Sequence, residues 1–592
     1  MRSRFGLDAL LARPRARLHP LPLWWVVLAA ALSGACGGAK QKSEAPAGAG
    51  PASAAWDALS ARYLERVFVR DPGIAVAAGR HELDGKLMDM SAAAIEGWVA
   101  ELYQLRAEAE AVPSRGLDEA QRFEQKYLLA TIDSSLFWSE RTHDYQRSPL
   151  VYSNAIDPSV YLTRAYAPLA QRLHAYVAHA RGIPKVVDAM LANLRTPLPR
   201  TFVDVGVKVF GGLVPYLQKD VPPIFASVAD APLQAELVEA TAQAAASLQR
   251  ATSWLEAQRE RADDKFALGP ELFRELLWKT ERVDTSLELL QEVGKRDLEQ
   301  NLAALQSACT ALLPGNPLTA CAALIAEDKP AAGPVAEARA QVSELKQFVL
   351  KEQLVSIPGA EEARVEEAPP YKRWNQAYIE IPGPYEVGLP SIYYIAPPDP
   401  AWTAEERKGY LPGRMDLLFI TVHEVWPGHF LQFLHANRVA RPLGRVFVGY
   451  AFAEGWAHYA EELTWQAGLH KEDPRAHIGQ LLNALLRDAR LLSAIGLHTG
   501  GMTVAESEQL FRERALVDPA NARQQAARGT FDPAYLNYTL GKLIIRKLRE
   551  DWTSTHGGRA AYRAFHDRLL SYGGPPLPLV REAMLGSAGD LL

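Results

Sequence analysis

The sequence predicts a mainly α-helical protein with one small β region, and three observations lead there. Apolar residues recur at helical spacing along most of the chain, as Trp56, Leu59, Tyr63 and Val67 do. Clusters of Pro and Gly punctuate these stretches, among them Asp71-Pro72-Gly73, TPLPR, LVPYLQKDVPP and LLPGNPLTA. One segment, between about 353 and 400, instead carries β-branched and aromatic runs between prolines, YIEIPGPYEVGLPSIYYIAPPDP. It predicts two or three short strands, a hairpin among them.

The chain opens on an export signal. Arg2, Arg4, Arg13, Arg15 and Arg17 precede LPLWWVVLAAALSGA, an apolar run of the length of a secretory h-region and too short to span a bilayer. Cys36 follows at once, so residues 1–36 read as a lipoprotein-type signal peptide with Cys36 as the lipidated first residue of the mature chain. Ser33 stands where such signals usually have Leu. Residues 37–54 are small and polar and predict a flexible tether. The expected location is the periplasm or cell envelope, with the protein held on a membrane through Cys36.

The remainder, 55–592, predicts one large helical domain. Helical patterns fill 90–145, 165–195 and 232–312, a further helix follows at 335–352, and helices return from about 404 to the end. No internal repeat is present. Cys309 and Cys321 close a short loop, CTALLPGNPLTAC, and an exported chain meets oxidants, so these two predict a disulfide. The balance of 64 basic against 69 acidic residues, a net charge of −5, offers no field for wrapping a polyanion, which excludes nucleic acid as an expected partner. Oligomeric state is not readable.

Histidines are unevenly spread. Of 14, seven fall between His423 and His498, so a metal or proton-transfer site is sought between about 415 and 500. His81-Glu82 has no second His within reach. In LLFITVHEVWPGHFLQFL the second His comes six positions after the first. On a regular helix positions i and i+4 lie roughly 40° apart in azimuth, and i and i+6 roughly 240° apart, so His423 and His429 would point away from each other. Pro427 cannot donate to the carbonyl of His423, and Gly428 permits backbone angles that other residues avoid. Together they predict a bulge or unwinding of about two residues that returns His429 to the side of His423. Downstream, GYAFAEGWAHYAEELTWQAG places Glu454 on a helix among Phe452, Trp456 and Tyr459, where a carboxylate is costly unless paired or bound to a metal. Glu454 is the expected anionic ligand. Glu461 and Glu462 are expected on the surface or behind a ligand, and His458 beside a ligand carboxylate or the substrate.

These residues resemble a bacterial family labelled domain of unknown function 885, grouped with zincin-like metallopeptidases. Its pattern H-E-x-x-P-G-H-x-x-Q is matched by His423, Glu424, Pro427, Gly428, His429 and Gln432, and its E-G-W-A-x-Y by Glu454 to Tyr459. DPGIAVAAGRHELDGKLMDMS and YLNYTLGKLIIRKLRE extend the resemblance over nearly the whole mature chain. Where the family often has R-x-x-x-D-x-G-x-H, this chain keeps Arg490, Gly496 and His498 but has Ala494 at the Asp position. Loss of an acid that orients a ligand can cost tenfold or more.

The resemblance implies a zincin-like multi-helix fold with the small sheet before the active-site helix. It also implies one Zn²⁺ per chain on His423, His429 and Glu454, with Glu424 as general base toward a peptide substrate. Tyr538 and then His498 are the candidate donors to the oxyanion. Tyr393, in LPSIYYI, is expected on a strand that pairs an extended peptide along its edge. Arg490, or alternatively Lys542, is expected to read a substrate carboxylate. The leading expectation is an exported zinc peptidase acting on oligopeptides. The alternatives are a zinc amidohydrolase acting on cell-wall or other amides, and a catalytically inactive binding lipoprotein.

Overall fold

The computed structural model describes residues 50–369, 377–398 and 403–592. The signal peptide, Cys36 and most of the tether lie outside the described residues. Helix α1, Pro51–Arg70, starts within the stretch expected to be tether. Pro51 stands in its first turn, where a missing N–H costs nothing.

The described chain is mainly helical, with loops between the helices and three short strands. Helices α2 (Ala92–Ala111) and α3 (Glu119–Leu136) are separated by a loop that ends in a capping box, in which the Asp118 side chain accepts from the Gln121 N–H. Then come α4 (Leu169–Asn193), α5 (Arg200–Pro215) and α6 (Ala231–Gln258). The stretch 232–312, read as helical, is three helices: α6, α7 (Pro270–Glu281) and α8 (Leu287–Leu312). Pro270 begins one and the Ser286 side chain caps the next, so local chemistry stops what periodicity alone would continue. Helices α9 (Leu318–Glu327) and α10 (Pro334–Glu352) lead into the sheet.

The sheet has strands β1 (Ala363–Glu367), β2 (Ala377–Glu380) and β3 (Ser391–Ile395) in the order β1-β3-β2. Strand β3 is central, parallel to β1 and antiparallel to β2, with Tyr393 opposite Val365 on one side and Ile379 on the other. After the sheet come α11 (Arg414–Glu424), α12 (His429–Ala436), α13 (Tyr450–Ala467), α14 (Pro474–Thr499), α15 (Pro519–Phe531) and α16 (Asn537–Ser554).

Among the described residues three large apolar cores hold most of these elements, with smaller clusters beside them. One lies among α1–α3, a second among α4–α6, and the largest gathers the sheet with α7–α14 and α16. In the largest, α14 packs along α8 and α13 along α16. Helix α14 is buried on nearly all sides, so its polar groups must find partners inside. Asp488 accepts from Asn301 (2.7 Å) and Thr539 (3.0 Å), and Lys542 pairs with Asp297 nearby. Cys309 on α8 and Cys321 on α9 form a disulfide with Cα atoms 5.8 Å apart. Among the described residues no helix is long and apolar enough to cross a membrane.

Candidate metal centre

The histidine motif is unwound and not bulged, over four residues where about two were expected. Helix α11 ends at Glu424, a cis Trp426–Pro427 bond follows, and α12 begins afresh at His429. The chain folds back so tightly here that a Cβ on Gly428 would stand 1.8 Å from the carbonyl oxygen of His423 and 2.3 Å from that of Val422. Only glycine fits. The close return brings the two imidazoles together, with ring centroids 4.8 Å apart and planes at 88°. Trp456 Nε1 donates to the Pro427 carbonyl at 2.8 Å, so the second motif pins the turn of the first.

Helix α13 supplies the carboxylate. Gly455 lies against Gly541 of α16, where a Cβ would meet the Gly541 Cα at 2.5 Å. This backbone-to-backbone approach sets Glu454 of α13 and Tyr538 of α16 at one place. Glu454 Oε2 is 3.2 Å from His423 Nε2 and 3.5 Å from His429 Nε2. One donor atom from each of the three residues lies within 4.8 Å of the others. Glu454 and His423 are buried, and among the described residues no Lys or Arg pairs with Glu454. Two imidazoles and a buried carboxylate with which no Lys or Arg among the described residues pairs are a donor set that fits Zn²⁺, and the sequence-predicted ligands are the residues brought together. Burial opposes charge on both partners, but their mutual attraction prevails. Glu454 is held well below the usual carboxylate range, and His423 is raised to about 9 by its bonds to Glu454 and Glu461.

Support comes from behind. His423 Nδ1–H donates to Glu461 Oε1 at 2.7 Å, which turns Nε2 toward Glu454. Arg487 holds the same Glu461 oxygen at 3.0 Å. Glu424 faces the cluster from the end of α11 and accepts from the backbone N–H of Ile379 on β2. Burial raises its pKa, against the pull of His429 and His423. Tyr538 lies with its ring 6.3 Å from that of His423 and nearly parallel to it. No residue among those described bonds its hydroxyl.

Other predicted residues are placed differently. His498, expected near the reacting atoms, spends both ring nitrogens on backbone: Nε2–H donates to Gly529 O (2.8 Å) and Nδ1 accepts from Leu268 N–H (3.3 Å). Burial lowers it to about 4, and its ring stacks on Phe273. It is a neutral packing histidine, with both ring nitrogens bonded to backbone in the presence of Ala494. Tyr393 sits on the central strand, fully buried, its hydroxyl 3.3 Å from Thr421 Oγ1. A central strand has no free edge; the edges of this sheet are β1 and β2, and β2 is the one that meets Glu424. His458 is buried and contacts Glu461 at 3.9 Å; it does not touch Glu454. Lys542 is committed to Asp297. Arg490 lies over Tyr538, with Cζ 4.8 Å from the ring centroid. His81 bonds Asp84 (3.0 Å) and Glu386 (3.2 Å).

The sequence reading did not single out Arg487, nor Glu281, whose carboxylate accepts from the N–H groups of Tyr450 and Ala451 at the start of α13. A signal did exist for Glu461. It lies seven residues after Glu454, two helical turns along the same face.

A family described as "Bacterial protein of unknown function (DUF885)" matches residues 72–584. The chain belongs to that family. Two solved structures share the fold. A "putative lipoprotein of unknown function from Shewanella oneidensis" is 21% identical, with a TM-score of 0.73, covering 90% of this chain and 99% of its own. A "putative lipoprotein from Colwellia psychrerythraea" is 16% identical, with a TM-score of 0.74, covering 90% and 98%. No curated protein matches the chain.

Proposed function

We propose that the protein is an exported zinc-dependent peptidase of the zincin-like kind, acting on oligopeptides. The observation that carries this reading is the convergence of His423, His429 and Glu454 in a buried site with Glu424 beside it. His423, His429 and Glu454 would hold the zinc, which would supply Lewis acidity to a water and to the scissile carbonyl. The chain's own residues do the rest. A Glu424 carboxylate oxygen takes the proton of the attacking water and returns it to the leaving amine nitrogen. The Tyr538 hydroxyl donates to the oxygen that gains negative charge. The outer edge of β2, whose Ile379 N–H already meets Glu424, aligns an extended peptide by main-chain bonds, a role that central β3 cannot fill.

Export and a lipid anchor on Cys36 are supported by the N-terminal signal and by the description of both similar solved structures as lipoproteins. The test is metal analysis of the purified mature protein, followed by digestion of a peptide library with and without chelator. One zinc per chain and chelator-sensitive cleavage are expected. A metal-free protein that cuts nothing after zinc is added back would end the peptidase reading.

A further inference from the structure

Four cations on α14–α16 approach the centre, and three have acidic partners. Arg487 is held by Glu461 at 3.0 Å, Arg528 by Asp532 at 2.9 Å, and Lys542 by Asp297. Arg490 differs. Its Nε donates to the neutral amide oxygen of Gln525 at 2.9 Å, and among the described residues no carboxylate meets its terminal nitrogens. Yet it is only 8% exposed. A guanidinium cannot shed its charge, so a buried one without an anion is costly. The neighbouring Arg528 and Arg487 add repulsion. Stacking on Tyr538 offsets part of this. The same Tyr538 ring lies 6.3 Å from that of His423, so the unpaired cation stands one aromatic ring from the histidines.

We propose that Arg490 is the receptor for a carboxylate of the substrate, so that the protein selects peptides bearing a carboxylate close to the scissile bond. This rests on the peptidase reading of the centre. With Nε occupied by Gln525, the two terminal nitrogens remain to grip both oxygens of a carboxylate. A C-terminal α-carboxylate and an acidic side chain share that chemistry. Arg490 is a binding residue and takes no part in proton transfer.

The test measures binding by calorimetry on the full mature chain, zinc-loaded as Glu424→Gln and also metal-free. Three probes are compared: acetyl-Ala-Ala-Phe with a free C-terminus, its C-terminal amide, and the amide of acetyl-Ala-Glu-Phe. At least tenfold tighter binding of a carboxylate probe than of the neutral amide is expected, and which probe gains tells terminus from side chain. Arg490→Gln should abolish the difference and Arg490→Lys should retain part of it, both with unchanged zinc content. Equal binding of all three probes, or a preference that survives Arg490→Gln, overturns the proposal. Failure to bind zinc would sink the peptidase reading instead, and the metal-free titration still decides the role of Arg490.

Discussion

Glu461 Oε1 lies 2.7 Å from Nδ1 of His423, with both side chains buried. The contact fixes the ring's tautomer and orientation, leaving Nε2 as the donor that faces Glu454. Glu461→Ala should therefore weaken zinc binding about 10- to 100-fold, read by competition with a chromogenic chelator. It also strips Arg487 of its partner, so Glu461→Gln is the gentler comparison. Unchanged affinity in both variants would remove Glu461 from the metal's support.

Glu424→Gln removes the proposed base and no proposed ligand. Zinc content should stay at one per chain while turnover falls at least about a hundredfold. Steady-state kinetics beside metal analysis checks this, and a fully active variant would refute the assigned role.

Gly428→Ala should be severe although it adds one methyl group. Its Cβ would meet the His423 carbonyl oxygen at 1.8 Å, and backbone cannot step aside as a side chain can. A loss of stability at or beyond the upper end of about 1–3 kcal/mol is expected, with loss of stoichiometric zinc. Thermal unfolding and metal analysis measure the two effects separately.

Glu281 gives a pH signature. Burial raises its folded pKa to about 8 from an ordinary 4.5. Between those values the folded state keeps a proton that the unfolded state has released, so this group makes stability fall as pH rises through that window. Glu281→Gln should flatten the decline, gaining up to a few kcal/mol relative to the parent near pH 8. Denaturant unfolding at a series of pH values from 5 to 8 tests it; parallel curves for the two proteins would contradict the assignment.

The Cys309–Cys321 bridge closes a loop of sequence separation 12 and ties α8 to α9, which packs against α11 and α14. Reduction should cost about 3 kcal/mol. The Cys309→Ala/Cys321→Ala variant should be less stable than the oxidised parent and indifferent to reductant.

Local chemistry in the sequence determined much of this protein. Helical periodicity, proline and glycine breaks and an aromatic, β-branched stretch specify helices with one small sheet, because they act over a few neighbouring residues. The two motifs specified, through residue type, the side chains proposed to hold the metal. Tertiary structure alone decided how the histidines meet: the expected unwinding is a full break over residues 425–428 between two helices folded back on Gly428, because the close carbonyl contact and the pin from Trp456 involve chain that periodicity does not see. It also decided that His498 and Tyr393 are packing residues and that Arg490 meets no carboxylate among the described residues. A side chain's role there depends on which partners surround it, and those partners come from Gly529, Thr421 and Gln525, far along the chain from the residues they satisfy.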